Sequence, residues 1–258
     1  MLLKDKVIFV TGAGQGMGRG IAQAVAEAGA HVVISDLRLE PVQETAGLVE
    51  AAGRRALPVA ANILNTAAMQ QAIRQTVDAF GRLDGWVNNA GVVKMDSALD
   101  IDEHDWRSQF EVNVQGLFAC CQLAARQMIA QGQGGAMVNI ASNAGKVGYR
   151  NMAAYNASKA AVINLTRSLS LEWAEHNINV NAVCPGGVDT PMLLGVAEWL
   201  TQRIGGDPHE LVKTMKPNQM NRHIQPIEVG RVVAFLLSEQ ATIIRGQSIN
   251  VDGGDTPY

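Results

Sequence analysis

Short runs of aliphatic and β-branched residues alternate along this chain with longer stretches of helical periodicity. That alternation limits the fold more than any other feature. KVIFV (6–10), HVVISD (31–36), ALPVA (56–60), DGWVNNAG (84–91), GAMVNIAS (135–142), INVNAVCPGG (178–187) and QSINV (247–251) read as strands, the third weakened by Pro58. Helical patterns are predicted over about 39–52, 66–80, 103–131, 153–175 and 226–238. Another follows the first strand, with Met17, Ile21, Ala24, Val25 and Ala28 on one face. Strands alternating with helices mean βαβ units, so the fold class is α/β: a doubly wound, parallel, seven-stranded sheet in three α/β/α layers. Residues 190–225 read as irregular, with GGDP (205–208) and KPNQMN (216–221) as breakers. No repeat or linker divides the sequence, which is read as a single domain over 1–258.

Composition narrows what such a domain does. Of 258 residues, 47% are hydrophobic and 17% charged, which fits a well-buried globular chain. A net charge of −3 gives no basic surplus for nucleic acid or an anionic membrane. The start, MLLKDKVIFVTGAG, reads neither as a signal peptide nor as a membrane span. Cys120, Cys121 and Cys184 have no metal-ligand spacing and fit a reducing cytoplasm. The histidines are scattered, so no metal site is expected.

The first strand ends in TGAGQGMG (11–18), with Gly12, Gly16 and Gly18 placed as T-G-x-x-x-G-x-G. Glycines serve where a strand turns into a helix and the backbone must approach a pyrophosphate, and the helix N-terminus then offers free N–H groups to phosphate. Asp36 ends the second strand, 18 residues after Gly18, where a carboxylate accepts hydrogen bonds from adenosine ribose hydroxyls. It would repel a 2′-phosphate, which predicts NAD over NADP. Gln15 and Leu37 offer no cation for that phosphate, although Arg38 lies one residue further on.

AAYNASKAA (153–161) carries Tyr155 and Lys159 four residues apart, on one helix face. A phenol of pKa near 10 is a poor base at neutral pH, but nearby cations favour its phenolate. Lowering it by about three units takes about 4 kcal/mol. A lysine ammonium and a nicotinamide ring are expected to supply that, so that Tyr155 exchanges a proton with an alcohol or ketone while the nicotinamide carries the hydride. Ser142 ends the fifth strand, at the sheet edge where ligand sites gather, and its hydroxyl can hold the substrate oxygen.

These motifs, in this order and spacing, resemble the short-chain dehydrogenase/reductase family in its compact branch of about 250 residues, with a Rossmann fold. The resemblance runs through TGAGQGMG, NNAG (88–91), Asn113, Ser142, YNASK (155–159) and PGGVDT (185–190) to the glycines at 253–254. It implies that Tyr155 is the acid/base, that Lys159 holds the nicotinamide ribose and lowers the tyrosine, and that Ser142 orients the substrate oxygen. Asn113, inside a helix with a glycine nearby, matches the residue that holds a water in the proton relay. Asn89, Ala90 and Gly91 match the turn beneath the adenosine, and Pro185, Gly186, Val188 and Thr190 the segment over the nicotinamide. Gln15 and Met17 in the turn, and Leu37 after the acid, join them as cofactor contacts. Where the family commonly has an aspartate touching the adenine, this chain has Asn62, followed by Ile63; the asparagine carbonyl can still accept that hydrogen bond.

The expected substrate is a small secondary alcohol or ketone, in the manner of polyol, sugar and diol dehydrogenases. Ser142, Asn143, Arg150, Tyr155 and Met192 are its expected contacts, with Val147, Tyr149, Asn151, Leu193 and the stretch to His223 as further lining. An NADPH-dependent 3-oxoacyl-carrier-protein reductase is the alternative, and Asp36 and the net acidity count against it. A non-catalytic NAD sensor would have no use for Tyr155, Lys159, Ser142 and Asn113 together. A sugar epimerase would carry a larger C-terminal substrate domain. The resemblance further implies a homotetramer, joined through the Asn113 and Tyr155 helices by residues such as Phe110, Val114, Leu117, Phe118, Val162, Leu165, Leu169 and Leu171.

Overall fold

The structure, a computed structural model, describes residues 1–256. Each apolar run becomes a strand: β1 (Val7–Thr11), β2 (His31–Asp36), β3 (Ala56–Ala60), β4 (Gly85–Asn88), β5 (Gly135–Ile140), β6 (Ile178–Pro185) and β7 (Ser248–Val251). All pairings are parallel, in the order β3-β2-β1-β4-β5-β6-β7. The chain winds outward one way from β1 to β3, then returns to β4 and winds the other way. The crevice at this reversal lies between the carboxyl ends of β1 and β4. Pro58 is tolerated because β3 is an edge strand.

Helices cover both faces. Below the sheet, Met69 and Ile73 of α3 (Thr66–Phe80), Leu117 and Met128 of α5 (Leu117–Gln131), and Val162 and Leu169 of α6 (Ala153–Glu172) pack on Phe9, Trp86 and Val180. Phe9 and Trp86 stack at 4.1 Å between ring centroids. On the other face, Ile21 and Val25 of α1 (Gly16–Glu27), Val42 and Val49 of α2 (Leu39–Ala51), and Val229 and Val233 of α9 (Pro226–Leu236) close over Ile8, Val10 and Ile34.

Two sequence expectations are corrected. The single helix predicted over 103–131 is α4 (Glu103–Phe110) and α5 joined by a π-helical turn, Glu111–Gly116, with Asn113 inside it. Residues 190–225 are not irregular: they hold α7 (Pro191–Ile204) and α8 (Pro208–Thr214). In each, a proline stands at the first helical position, and Thr190 or Asp207 caps the start by accepting a backbone N–H, from Leu193 and His209 respectively. Among the described residues no helix is long and apolar enough to cross a membrane.

The expected interface residues also divide. Leu117, Val162 and Leu169 are buried against the chain's own sheet. Phe118 and Leu171 are exposed, and Phe110, Val114 and Leu165 are half-buried.

Candidate active site

A cleft of about 920 Å³ runs along the carboxyl ends of the strands, from Asp36 past the glycine turn to Tyr155 and on to Asp255. Its volume is at the upper end of the range for ligand sites, about 300–1,000 Å³. Local backbone geometry builds its first wall. Gly12 and Gly16 have φ of +62° and +52°, conformations that side-chain-bearing residues avoid. A Cβ at Gly12 would stand 2.7 Å from Ala90 Cα, and one at Gly18 would overlap the Gly12 carbonyl oxygen. The turn therefore lies directly against the 89–91 segment. Asn89 Nδ2 donates to the carbonyls of Thr11 and Gly12 at 3.0 and 2.8 Å, and the Thr11 hydroxyl accepts from the N–H groups of Asn89 and Ala90. Thr11 was not singled out in the sequence; the T of T-G-x-x-x-G-x-G was its only sign.

Asp36 is held before any ligand arrives. Its Oδ2 accepts from the Gly14 N–H at 2.9 Å and its Oδ1 from the Leu37 N–H at 2.7 Å. A carboxylate has about four lone-pair positions, so it retains capacity for ribose hydroxyls. Asn62 Oδ1 accepts from the Leu64 N–H at 2.9 Å, which fixes its amide and leaves one lone pair. The positive-φ turn, the helix N-terminus of α1 and the pinned acid together fit a dinucleotide: room for phosphates, then an acceptor for ribose. Ile63, Leu37, Gln15, Met17, Pro185, Gly186, Val188 and Thr190 all line the same cleft.

At the far end the chemistry-bearing side chains gather. Ser142 follows β5 and caps a short 3₁₀ turn, its Oγ accepting from the Ala144 N–H at 3.1 Å. Tyr155 is half-buried in the first turn of α6. Burial pushes its phenol up, and a hydrogen bond with Ser142 works against that rise. Lys159, 4% exposed, lies behind the wall rather than on it. Its Nζ donates to the Ile140 carbonyl at 2.8 Å and sits 5.7 Å from the Tyr155 ring centroid. Burial lowers its pKa to about 8. The expected lowering of Tyr155 by Lys159 is thus not produced by the chain's own groups, because desolvation dominates both residues.

Asn113 is fully buried and its amide is occupied. Oδ1 accepts from the Val92 N–H, and Nδ2 donates to the Val92 carbonyl and to Ser158 Oγ. The side chain therefore clamps the loop after β4 to α6, with both amide protons used and one lone pair of Oδ1 left. Gly91 is needed here: a Cβ would come 3.1 Å from Asn113 Oδ1 and 3.5 Å from Lys159 Nζ.

Asn143, Tyr149, Arg150, Asn151, Met192 and Leu193 line the cleft as expected. Val147 and His223 do not. His223 directly precedes Ile224, whose N–H and carbonyl are bound to Gly187 and Asp189, and that pairing fixes the backbone there. Lys216 and Asn218, within the stretch to His223, line the cleft as expected, and Asp255 lines it without having been foreseen. Only the fold-back of the C-terminal segment onto residues 217–220 brings Asp255 there, through the Asn218 N–H at 2.8 Å and the Gln219 amide on the Gly254 carbonyl at 3.0 Å.

The family model described as short chain dehydrogenase matches residues 6–201. The 2-dehydro-3-deoxy-D-gluconate 5-dehydrogenase of Dickeya dadantii is 35% identical over 252 residues, 98% of this chain and 96% of the relative. The NAD-dependent glycerol dehydrogenase of Listeria innocua is 35% identical over 254 residues, 98% of this chain and 95% of the relative. Among solved structures, carveol dehydrogenase from Mycobacterium avium in complex with NAD superposes with a TM-score of 0.92 at 27% identity, covering 98% of each chain.

Proposed function

The chain belongs to the short-chain dehydrogenase/reductase family, and on that premise we propose that it transfers hydride between NAD(H) and the CH–OH or C=O group of a small secondary alcohol, polyol or sugar-like substrate. The observation that carries this reading is a single continuous cleft with the pinned carboxylate of Asp36 at one end and Ser142 and Tyr155 together at the other. A bound nicotinamide supplies the hydride chemistry. The Ser142 hydroxyl holds the substrate oxygen, and Tyr155 gives a proton to it in reduction or takes one in oxidation. Because burial raises the phenol, the protein's own groups favour the proton-donating form. Oxidation needs added positive charge beside the ring, and Lys159 Nζ has two further N–H groups with which to hold a ribose there.

NAD preference rests on Asp36, whose charge would repel a 2′-phosphate. A homotetramer built on the outer faces of α4, α5 and α6 is supported by Trp106, Phe118 and Leu171, which those faces leave exposed. Three buried free thiols fit a cytoplasmic setting.

The test is reduced-nicotinamide absorbance with NAD or NADP against secondary alcohols, diols, polyols and hydroxyacyl thioesters. We expect NAD-dependent turnover of a polyol or diol, reduced about a thousandfold in Tyr155→Phe with NAD affinity intact. Turnover with NADP and hydroxyacyl thioesters alone would replace this reading with that of an acyl-carrier-protein reductase.

A further inference from the structure

Beyond Tyr155 the cleft wall carries three charged side chains, Arg150, Lys216 and Asp255. Asp255 Oδ1 accepts the Asn218 N–H, as described. Lys216 Nζ donates to the neutral Asn221 amide oxygen at 2.5 Å, so its charge is not cancelled. Arg150 has no hydrogen-bond or ion-pair partner among the described residues. Two cations therefore face one carboxylate. The segment that presents Arg150 is nevertheless fixed on both sides. Asn156 Nδ2 donates to the Tyr149 carbonyl at 2.9 Å, and the Asp96 N–H donates to the Asn151 carbonyl at 3.0 Å. Asn151 turns the chain through a left-handed φ of +61°, which asparagine tolerates. A pinned backbone thus holds a planar fork of five donors, exposed to solvent and without a protein partner among the described residues, on the wall of the cleft that holds the acid/base.

We propose that Arg150 binds a carboxylate of the substrate, so that the preferred substrates are hydroxy or keto acids of the sugar-acid type rather than neutral polyols. This rests on the dehydrogenase reading above. Guanidinium and carboxylate match in bidentate geometry, and such charge-assisted pairs are about twice as strong as neutral hydrogen bonds. Lys216, on the opposite segment, adds a second positive charge as the acid enters. The amides of Asn143 and Asn151 remain for hydroxyl groups between the two ends. Asn143 already donates to the Tyr149 hydroxyl at 2.8 Å, which leaves that hydroxyl's own proton to offer.

Gluconate and sorbitol form a matched pair, with one carbon skeleton and a carboxylate in place of a CH₂OH. With NAD and the full chain, kcat/KM is expected to favour gluconate. Arg150→Met should lower the gluconate value about 30-fold, mostly through KM, while sorbitol changes less than about twofold; Arg150→Lys should recover part of the loss. A preference for sorbitol, or equal losses on both compounds, would overturn the proposal and leave the dehydrogenase reading standing. Should neither compound turn over, calorimetry on NAD-loaded Tyr155→Phe decides. Gluconate binding that vanishes when Arg150→Met is added supports the carboxylate subsite, and no gluconate binding overturns it.

Discussion

At Gly12 and Gly18 of the glycine turn there is no room for one added carbon, whereas Gly195 in α7 and Gly205 and Gly206 after it have open space around them. A Cβ on Gly18 would come 2.5 Å from Asn89 Nδ2 as well as overlapping backbone, but at Gly195, Gly205 and Gly206 it would meet nothing within 4 Å. The turn is welded to β1, β4 and Asp36 by backbone and amide hydrogen bonds. The α7–α8 segment is tied at its base by the Val188–Ile224 bridge and across the cleft by Arg203 and Asp96, 3.8 Å apart and both partly exposed. One half of the cleft is thus committed to a single ligand geometry, while in the other a side chain at Gly195 costs the fold little and only the left-handed φ of Gly205 and Gly206, +80° and +105°, holds those two positions to glycine.

The largest effect expected is at Gly18→Ala, which should destabilise the chain by about 3 kcal/mol or more and abolish NAD binding, as read by denaturant unfolding and cofactor titration. A mild loss would mean that the turn is softer than its contacts imply. Lys159 comes next. Its folded pKa of about 8 lies below the ordinary 10.5, so between these values the unfolded chain binds more protons and stability rises with pH. Below pH 8 the penalty is present in full. The unfolding free energy of the native chain, minus that of Lys159→Met, should therefore climb by about 3 kcal/mol from pH 8 to 10.5. A flat difference would show that the ammonium is better solvated than its burial indicates.

Asp36→Ala should cut kcat/KM with NAD about tenfold or more and narrow the gap to NADP, while the ratio between two substrates stays fixed. A changed substrate ratio would show that the two halves communicate. Smallest is Gly195→Ala, an exposed mid-helix position that should gain about 0.5–1 kcal/mol. If it destabilised as much as Gly18→Ala, the contrast between the halves would collapse.

How legible each half was follows the same division. Strands could be read because a buried parallel sheet writes itself as apolar runs, and Tyr155 with Lys159, or Gly12 with Gly16 and Gly18, are local patterns along one element. GGDP looked like a break in structure, yet it is the joint between two helices, with Gly205 ending α7 and Asp207 capping α8. Thr190–Pro191 and Asp207–Pro208 were the unread signals. Lys216 and Asn218 fell within the stretch to His223 that was read as lining, but Asp255 had no local sign, since only tertiary contacts carry it to the cleft. Spacing reports the charge near Tyr155, while the burial that raises its phenol in the chain alone is invisible to it.

The π-helical turn at Glu111–Gly116 has its own arithmetic. Each residue advances an α-helix by about 100°, and a wide turn inserts one residue, rotating everything upstream by that step. Counting back from Leu117 on the buried face of α5 by two and three regular turns lands on Phe110 and Trp106. Yet Trp106 is 39% exposed, Phe110 stacks on it, and Gln109 is the fully buried residue. The phase slip has exchanged an aromatic for an amide, and Gln109 Oε1 accepts the Lys94 N–H at 3.0 Å, bracing the loop that forms part of the cleft. Winding this turn as a regular α-helix of the same length would swing Phe110 inward and leave that loop without its brace, whereas deleting one residue from it would keep Gln109 in phase with Leu117.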